Sequence, residues 1–435
     1  MRRPVIAFFP EASFGAALNC VGIAQELQRM GATPVFICHP GFGGVFSEYG
    51  FKEFGLPGTE TGDSKTAAES WQHFISVHLP HFNLDPRDQL AEYVAPTWEA
   101  IVDTAIGAEA GLKKVLAQIQ PDAIVLDNVI MFPAIANSGV PWIRVISCAE
   151  TELPDPNVPP YLSGLAPEDG AACATFRRDY DKATSHAHKR FNRFRRKAGL
   201  APLPPGEFLE VSPYLNLLLA PSVVRYDRAN ALPEDRFVFL EGCVRREVPM
   251  EIPELPRRDG PLVYVSFGSL GAIDTGQIGR LLDTFSGIEA RFMVNVGAFA
   301  ESYANVPDNV YLGEWFPQPS VVARSQLFIH HGGNNSFCEA LHFGVPSLVM
   351  PYCWDGHDNA QRAEATGTGR HMHRSDWTPE ELRSAISGLI GDAAMRDRLA
   401  AISREMQAHP GTTRAASMIL SAARAEAGMA AGNLA

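Results

Sequence analysis

Paired cysteines, long apolar runs and an excess of positive charge are all missing from this 435-residue chain. Its seven cysteines, Cys20, Cys38, Cys148, Cys173, Cys243, Cys338 and Cys353, are odd in number and show no C-x-x-C spacing. That pattern implies neither a disulfide frame nor a zinc site, and reads as free thiols of a reducing compartment. No stretch approaches the ~20 apolar residues of a membrane helix, because Asp127 and Asn128 interrupt the longest candidate. VIAFFP, following Met1-Arg2-Arg3, is too short an apolar run for a signal peptide, so the cytoplasm is the expected compartment. With 37 Lys and Arg against 49 Asp and Glu, the net charge is −12. Such a surface repels nucleic acid, whose recognition begins with phosphate neutralisation. One basic run, Phe176 to Gly199, has apolar residues at helical intervals and reads as a solvated helix face.

What is present is the composition of an ordinary globular enzyme, 46% hydrophobic and 20% charged. The length favours two cores. Short apolar runs alternate with helix-period segments throughout, which predicts α/β architecture with a parallel sheet in each half. In the first half VIAFFP, TPVFIC, DAIVLDN and PWIRVIS read as strands, and Leu18 to Met30 as a helix stopped by Gly31. Residues 1–241 form the expected N-terminal domain. Residues 242–260, rich in proline and charge and without hydrophobic period, read as a linker. PLVYVSFGS then repeats the opening of the first half, and residues 261–411 continue with strands RFMVNVG, NVYLGEW, QLFIHH and VPSLVMP. A capping signal at Thr378 to Glu381 starts a late helix. Residues 412–435 form a last helical segment able to pack back on the first domain. Two doubly wound sheets bind ligands beyond the carboxyl ends of their strands, so both opening loops are expected to face one cleft.

The sharpest chemical signal is HHGGNNSFCEALHFGVP, His330 to Pro346. A strand runs into two glycines and then a helix whose first turn carries Asn334, Asn335 and Ser336. Small residues such as Gly333 admit a ligand to the backbone, and free amides at the helix start favour an anion such as a diphosphate. His331 can donate to a phosphate oxygen, and Glu339 is spaced to accept ribose hydroxyls. Upstream, Trp315, with Phe316 and Gln318 beside it, offers an indole for a nucleobase, a contact worth roughly 1–3 kcal/mol. Downstream, Asp355, followed by Gly356, supplies a carboxylate for sugar hydroxyls. The plainer alternative is a glycine-rich turn with incidental polar residues and a core tryptophan.

The order of these residues resembles the nucleotide-sugar signature of the family 1 glycosyltransferases, W-x-P-Q, then H-x-G-x-N-S-x-x-E, then a D/E-Q pair before N-A. The match runs through Trp315, Pro317, Gln318, His331, Gly333, Asn335, Ser336, Glu339, Asp355, Asn359 and Ala360, and Ser269 matches a position near the β-phosphate. The resemblance implies a GT-B fold, two Rossmann-like domains facing across a cleft, and inverting transfer from a UDP-sugar co-substrate without metal or other cofactor. The chain carries no paired-carboxylate D-x-D segment placed to hold a cation. Gly356 stands where the family usually has glutamine. The family's catalytic histidine after the first strand is replaced by Ala16, although Asp127, its usual partner, is kept.

Three functions follow. The leading one moves a sugar from UDP-sugar to a small apolar or aromatic acceptor. The others are a non-catalytic homologue that activates a partner, and a UDP-sugar epimerase. For the missing base the expectation is Asp127, directly or through water, then Glu11, with Ser13 polarising the acceptor; a self-ionising acceptor is the other route. His73, Phe74, His78, Phe82 and Trp98 are candidates for the acceptor wall, or else ordinary loop and core residues. Glu339 predicts UDP over dTDP through the 2′-hydroxyl.

Overall fold

A computed structural model of the chain describes residues 2–57, 73, 75–257 and 259–432; side chains of Ser269 and of residues 425–432 are also outside the description. Among the described residues the first sheet holds seven parallel strands: β1 (Val5–Pro10), β2 (Thr33–Cys38), β3 (Lys52–Gly55), β4 (Ala123–Asp127), β5 (Trp142–Ile146), β6 (Leu215–Leu218) and β7 (Phe237–Phe239). Their spatial order is β3-β2-β1-β4-β5-β6-β7. The second sheet holds six: β8 (Leu262–Ser266), β9 (Arg291–Asn295), β10 (Val310–Gly313), β11 (Leu327–His330), β12 (Ser347–Val349) and β13 (Gly369–His371), ordered β10-β9-β8-β11-β12-β13. Central strands such as β4 and β8 are buried at every position, which is why they read as unbroken apolar runs and not as alternating ones. These are two doubly wound α/β units of the Rossmann type.

In each sheet the strand order reverses beside the first strand, between β1 and β4 and between β8 and β11. The register pairs Pro10 with Asp127 at the first reversal and Ser266 with His330 at the second. The residues singled out for chemistry therefore leave the sheets at their two switch points, where side chains from both loops reach open space.

Helix α1 (Phe14–Arg29) begins four residues ahead of the expected Leu18. Ser13 is the reason: its side chain caps the helix by accepting the Ala16 N–H at 3.5 Å. Helix α2 (Ala95–Ile119) packs against α3 (Gly170–Lys197), which contains the basic run and buries Cys173, Phe176, Ala187 and Phe191 on one face. In the second half α4 (Asn334–Phe343) follows β11, α5 (Gly356–Ala365) follows β12, and α6 (Pro379–Gly391) starts at the Thr378 capping box. The last helix, α7 (Gly411–Gly432), crosses back to α1. Its Ala415, Ala416, Ile419, Leu420 and Ala423 share a core with Ile6, Phe8, Val21, Ala24 and Leu27 of the first domain.

The first sheet closes at Phe239 and the second opens at Leu262. The segment between is irregular but not loose. Cys243 and Arg245 are buried, and Arg246 binds Gln25 through its backbone and Glu26 through its guanidinium. Polar sequence without period can thus be fixed by ion pairs that no hydropathy pattern reveals.

Candidate active site

The donor side is built on the turn between β11 and α4. Gly332 has φ +88°, and a Cβ there would lie 2.6 Å from the Gly356 carbonyl oxygen. The reverse also holds, since a Cβ on Gly356 would meet the His331 carbonyl oxygen at 2.5 Å. The two turns interlock through bare backbone, so the glycine at 356 is a packing requirement of this chain. His331 stacks on Tyr352 with ring centroids 4.9 Å apart. Burial lowers its pKa to about 4, so it offers a phosphate the N–H of a neutral ring. Gly333 is the N-cap of α4.

Several side chains read as donor contacts have other work. Asn334 does not face a phosphate: its amide donates to the Ser147 and Leu219 carbonyls of the first domain at 2.9 and 2.8 Å. Buried next to two unpaired carbonyls, an amide satisfies them before it serves a ligand. Glu339 does not present a free carboxylate to a ribose. Its side chain and that of Arg245 are each 1% exposed and paired at 2.7 Å. Gln318 takes the other oxygen at 2.8 Å, and Asn335 adds a bond at 3.2 Å. Gln318 also donates to Ser336 at 3.1 Å. Phe316 is core, edge-on to Tyr264 at 5.9 Å. Trp315, by contrast, is 51% exposed and meets Phe14 of α1 at 5.2 Å, at the mouth of the cleft. Ser269 lies in a short helical turn after β8.

Asp355 is partly buried before α5, where one oxygen accepts the Asn334 N–H at 2.9 Å and the Asn359 amide at 3.1 Å. Burial raises its pKa to about 7, against those bonds, with Asp358 and Glu11 adding repulsion. Its second oxygen takes no bond among the described residues, so it keeps one acceptor for a ligand.

Across the cleft lies a small cavity, open to solvent, lined by Glu11, Asp127, Asn128, Val129, Val145, Ser147, Cys148 and Glu152. Asp127, the residue favoured as base, is buried and tied: Ser147 donates to one oxygen at 2.6 Å and the Cys20 thiol lies 3.7 Å from the other. Burial raises its pKa to about 7, opposed by the Ser147 bond and aided by Glu11. Glu11 is held by its backbone, which donates to the Asp127 carbonyl at 2.7 Å, and burial takes its pKa to about 7. Ser13 caps α1 and is not among the residues that line the cavity. Ala16, in place of the histidine, is buried.

Asn128, Cys148 and Glu152 were not singled out in the sequence. A signal existed for Glu152, whose stretch ETELPD begins four residues past the end of strand β5 and so lies on the sheet's ligand-binding side. Arg245 gave none, since a basic residue in a charged linker looks solvated. Among the described residues no group of three or more His, Cys, Asp or Glu can hold a metal ion.

The acceptor candidates separate. His73 is exposed, and Phe74 lies outside the described residues. His78 faces His81, with ring nitrogens 3.1 Å apart. Phe82 is buried between Tyr93 and Tyr352, at 5.3 and 5.0 Å. Trp98 is buried, stacked on Phe208 at 3.8 Å and 5.7 Å from Trp354. Phe82 and Trp98 are therefore packing residues between the domains and do not wall an open pocket, because Tyr352 and Trp354 already cover them.

Two switch-point loops opposed across one cleft define a GT-B protein. Solved structures share this fold along nearly the whole chain. The glycotransferase of kitacinnamycin superposes with a TM-score of 0.69 at 21% identity, covering 97% of this chain and 100% of that one. The calicheamicin glycosyltransferase CalG4 does so at 0.67 and 18%, covering 97% and 98%. VinC, solved with DTDP, gives 0.65 and 18%, covering 97% and 100%. Residues 279–421 match the family described as erythromycin biosynthesis protein CIII-like, C-terminal domain. The NDP-glycosyltransferase YjiC of Bacillus licheniformis is 28% identical over 190 residues, 43% of this chain and 48% of its own. The 3-alpha-mycarosylerythronolide B desosaminyl transferase of Saccharopolyspora erythraea is 28% identical over 193 residues, 44% and 45% of the two chains. The chain spans about half the length of these curated relatives. The chain has the GT-B fold, and about half of it is similar in sequence to natural-product and nucleoside diphosphate sugar glycosyltransferases. No helix among the described residues is long and apolar enough to cross a membrane.

Proposed function

We propose that the protein transfers a sugar, with inversion, from a nucleoside diphosphate sugar to a small hydroxyl-bearing natural product of mainly apolar character. The observation that carries this reading is the opposition, across one cleft, of an anion-binding strand-to-helix turn and a cavity lined by Glu11, Asp127 and Glu152. The first suits the departing diphosphate, whose growing charge the α4 amides and His331 stabilise. The second suits an acceptor that must lose a proton as its oxygen attacks. The reading asks for no metal and no cofactor besides the co-substrate, and it assigns the enzyme to the cytoplasm.

The preference for UDP over dTDP rested on a free Glu339. Because Arg245, Gln318 and Asn335 already share its oxygens, the 2′-hydroxyl loses its expected partner. The donor class is accordingly uridine or thymidine diphosphate sugars, in keeping with the DTDP held by VinC. Incubating UDP- and dTDP-sugars with phenolic, polyketide and terpenoid acceptors, and weighing the products, tests the reading. A hexose or deoxyhexose increment, with nucleotide released only when acceptor is present, supports it over the epimerase and the non-catalytic partner. Trp315→Ala should weaken UDP and dTDP binding by roughly five- to 150-fold, the equivalent of ~1–3 kcal/mol of stacking. Unchanged calorimetric affinities would remove Trp315 from the base site.

A further inference from the structure

The chain has lost the histidine that its relatives' signature leads one to expect, and the expected substitute, Asp127, has both oxygens in contact with donors. Besides Glu11, two polar groups are left over within the cavity. No donor among the described residues reaches the Glu152 carboxylate. The Asn128 side chain, 7% exposed on its residue, uses its oxygen to accept the Ile130 N–H at 3.2 Å, while its amide nitrogen has no acceptor among the described residues. A hydroxyl group needs just such a pair, one donor to its oxygen and one acceptor for its proton.

Glu152 is also held in place. Its neighbour Thr151 donates to Asp358 of α5 at 2.7 Å, and the Leu162 and Gly164 N–H groups bind the same carboxylate at 2.9 and 2.8 Å. One residue earlier, Glu150 accepts from the Tyr226 N–H at 3.0 Å and pairs with Arg228 at 3.2 Å. The turn Glu150–Glu152 is thus held through Thr151 by the second domain and through Glu150 by the first, and the last side chain lines the cavity. Glu11 lines the same cavity without a donor, but it hangs from the first domain alone.

We propose that Glu152 is the catalytic base and that the Asn128 amide orients the acceptor hydroxyl toward it. The assignment rests on the transferase reading and deepens it. The acceptor oxygen accepts from the Asn128 amide and its proton passes to a Glu152 oxygen. As that oxygen forms its bond to the anomeric carbon, the bond from that carbon to the phosphate oxygen breaks. The electron pair leaves with the nucleoside diphosphate, and Glu152 later yields its proton to water. Burial, with Asp127, Asp355 and Glu11 opposed by Arg144, moves the Glu152 pKa up to about 8, close to the working pH of a base.

The test uses the full chain with UDP-glucose and dTDP-glucose and two acceptors of different acidity, benzyl alcohol and 4-nitrophenol. Glu152→Gln should lower transfer to benzyl alcohol by about 10²–10⁴-fold and transfer to 4-nitrophenol far less, because a phenolate needs no base. Nucleotide affinity by calorimetry should stay at the wild-type value, the thermal transition should be no lower than that of the wild type, and Glu152→Asp should restore part of the rate. Asn128→Ala should cost about tenfold with the alcohol, the worth of one directed hydrogen bond. The proposal is overturned if Glu152→Gln keeps transfer to benzyl alcohol within threefold, or if Glu11→Gln shows the acidity-dependent loss in its place. Should wild-type protein bind nucleotide yet transfer sugar to neither acceptor nor to the wider panel, the transferase reading falls and takes this assignment with it.

Discussion

Replacing Arg245 by methionine removes one partner of a buried ion pair and leaves the other in place. Arg245 and Glu339 are each 1% exposed, and the guanidinium also binds Glu247 at 2.5 Å, which in turn accepts from the Tyr49 hydroxyl at 2.8 Å. The Arg245→Met chain keeps the aliphatic stem but strands Glu339 with only the Gln318 and Asn335 amides for partners. Breaking such a pair from one side costs about 3–5 kcal/mol. Glu247, partly open to water, should add little. The assay is urea unfolding at pH 7.5. Adding Glu339→Gln removes the stranded charge and should recover the stability to within about 1–2 kcal/mol of wild type, since replacing both partners is far cheaper than removing one. A pH series gives a second check. Burial already raises the Glu339 pKa, and without Arg245 it rises further. The folded state then holds a proton that the unfolded state releases above its ordinary pKa. The deficit should therefore be largest above the folded pKa and vanish as pH falls below the unfolded one. A loss under 1 kcal/mol, or a double variant no better than the single, would refute the view that this pair is what shapes the linker and the pocket beside it.

Gly356→Gln, which restores the glutamine common in the family, should weaken nucleotide binding and lower the melting temperature, because its Cβ would stand 2.5 Å from the His331 carbonyl oxygen; a neutral or improved calorimetric affinity would show that the two turns can part. Asn334→Ala should cost about 1–3 kcal/mol in urea unfolding, the penalty for leaving the Ser147 and Leu219 carbonyls unpaired in the interface. Small-angle scattering on the same variant should show a larger radius, and an unchanged profile would argue against a clamp. Between pH 6.5 and 8.5 stability should fall as pH rises. Glu11, Asp127 and Asp355 have pKa values raised to about 7 and Glu152 to about 8, so the folded state binds more protons through that window. The buried histidines, lowered to about 3–4, act only below their ordinary range. Thermal melts across the window check the slope, which Glu152→Gln should reduce.

The strands and the order of the donor motif were legible because they depend on short-range pattern. Val5–Pro10 and Ala123–Leu126 are unbroken apolar runs, and the two glycines before Asn334 mark a turn whatever surrounds them. Side-chain assignments were less legible, for they depend on partners distant in sequence. In sequence Glu339 looks like a free acceptor because Arg245, which holds it, lies 94 residues away. Asn334 has the spacing of a phosphate contact, but the Ser147 and Leu219 carbonyls that it serves come from the other domain and leave no mark near it in sequence. A serine before a helix serves as well for a cap as for chemistry, and the Ser13 cap carries the helix start from Leu18 back to Phe14. Phe82 and Trp98 were ambiguous between wall and core, and only the second domain's Tyr352 and Trp354 resolve them.

Helix α7 belongs to the second half by sequence and to the first by packing, for Ala415, Ala416, Ile419, Leu420 and Ala423 complete the core behind α1. A ribosome that has released the first 241 residues has thus not released a finished domain. The apolar back of α1 stays open until the final helix arrives, and a chaperone or the growing second half must shield it meanwhile. The same geometry sets a rule for recombination. An exchange of donor halves between relatives that cuts once, in the linker, would seat a foreign helix against α1. Two cuts, one near residue 241 and one near residue 411, would exchange the donor half and leave the acceptor half with its own closing helix.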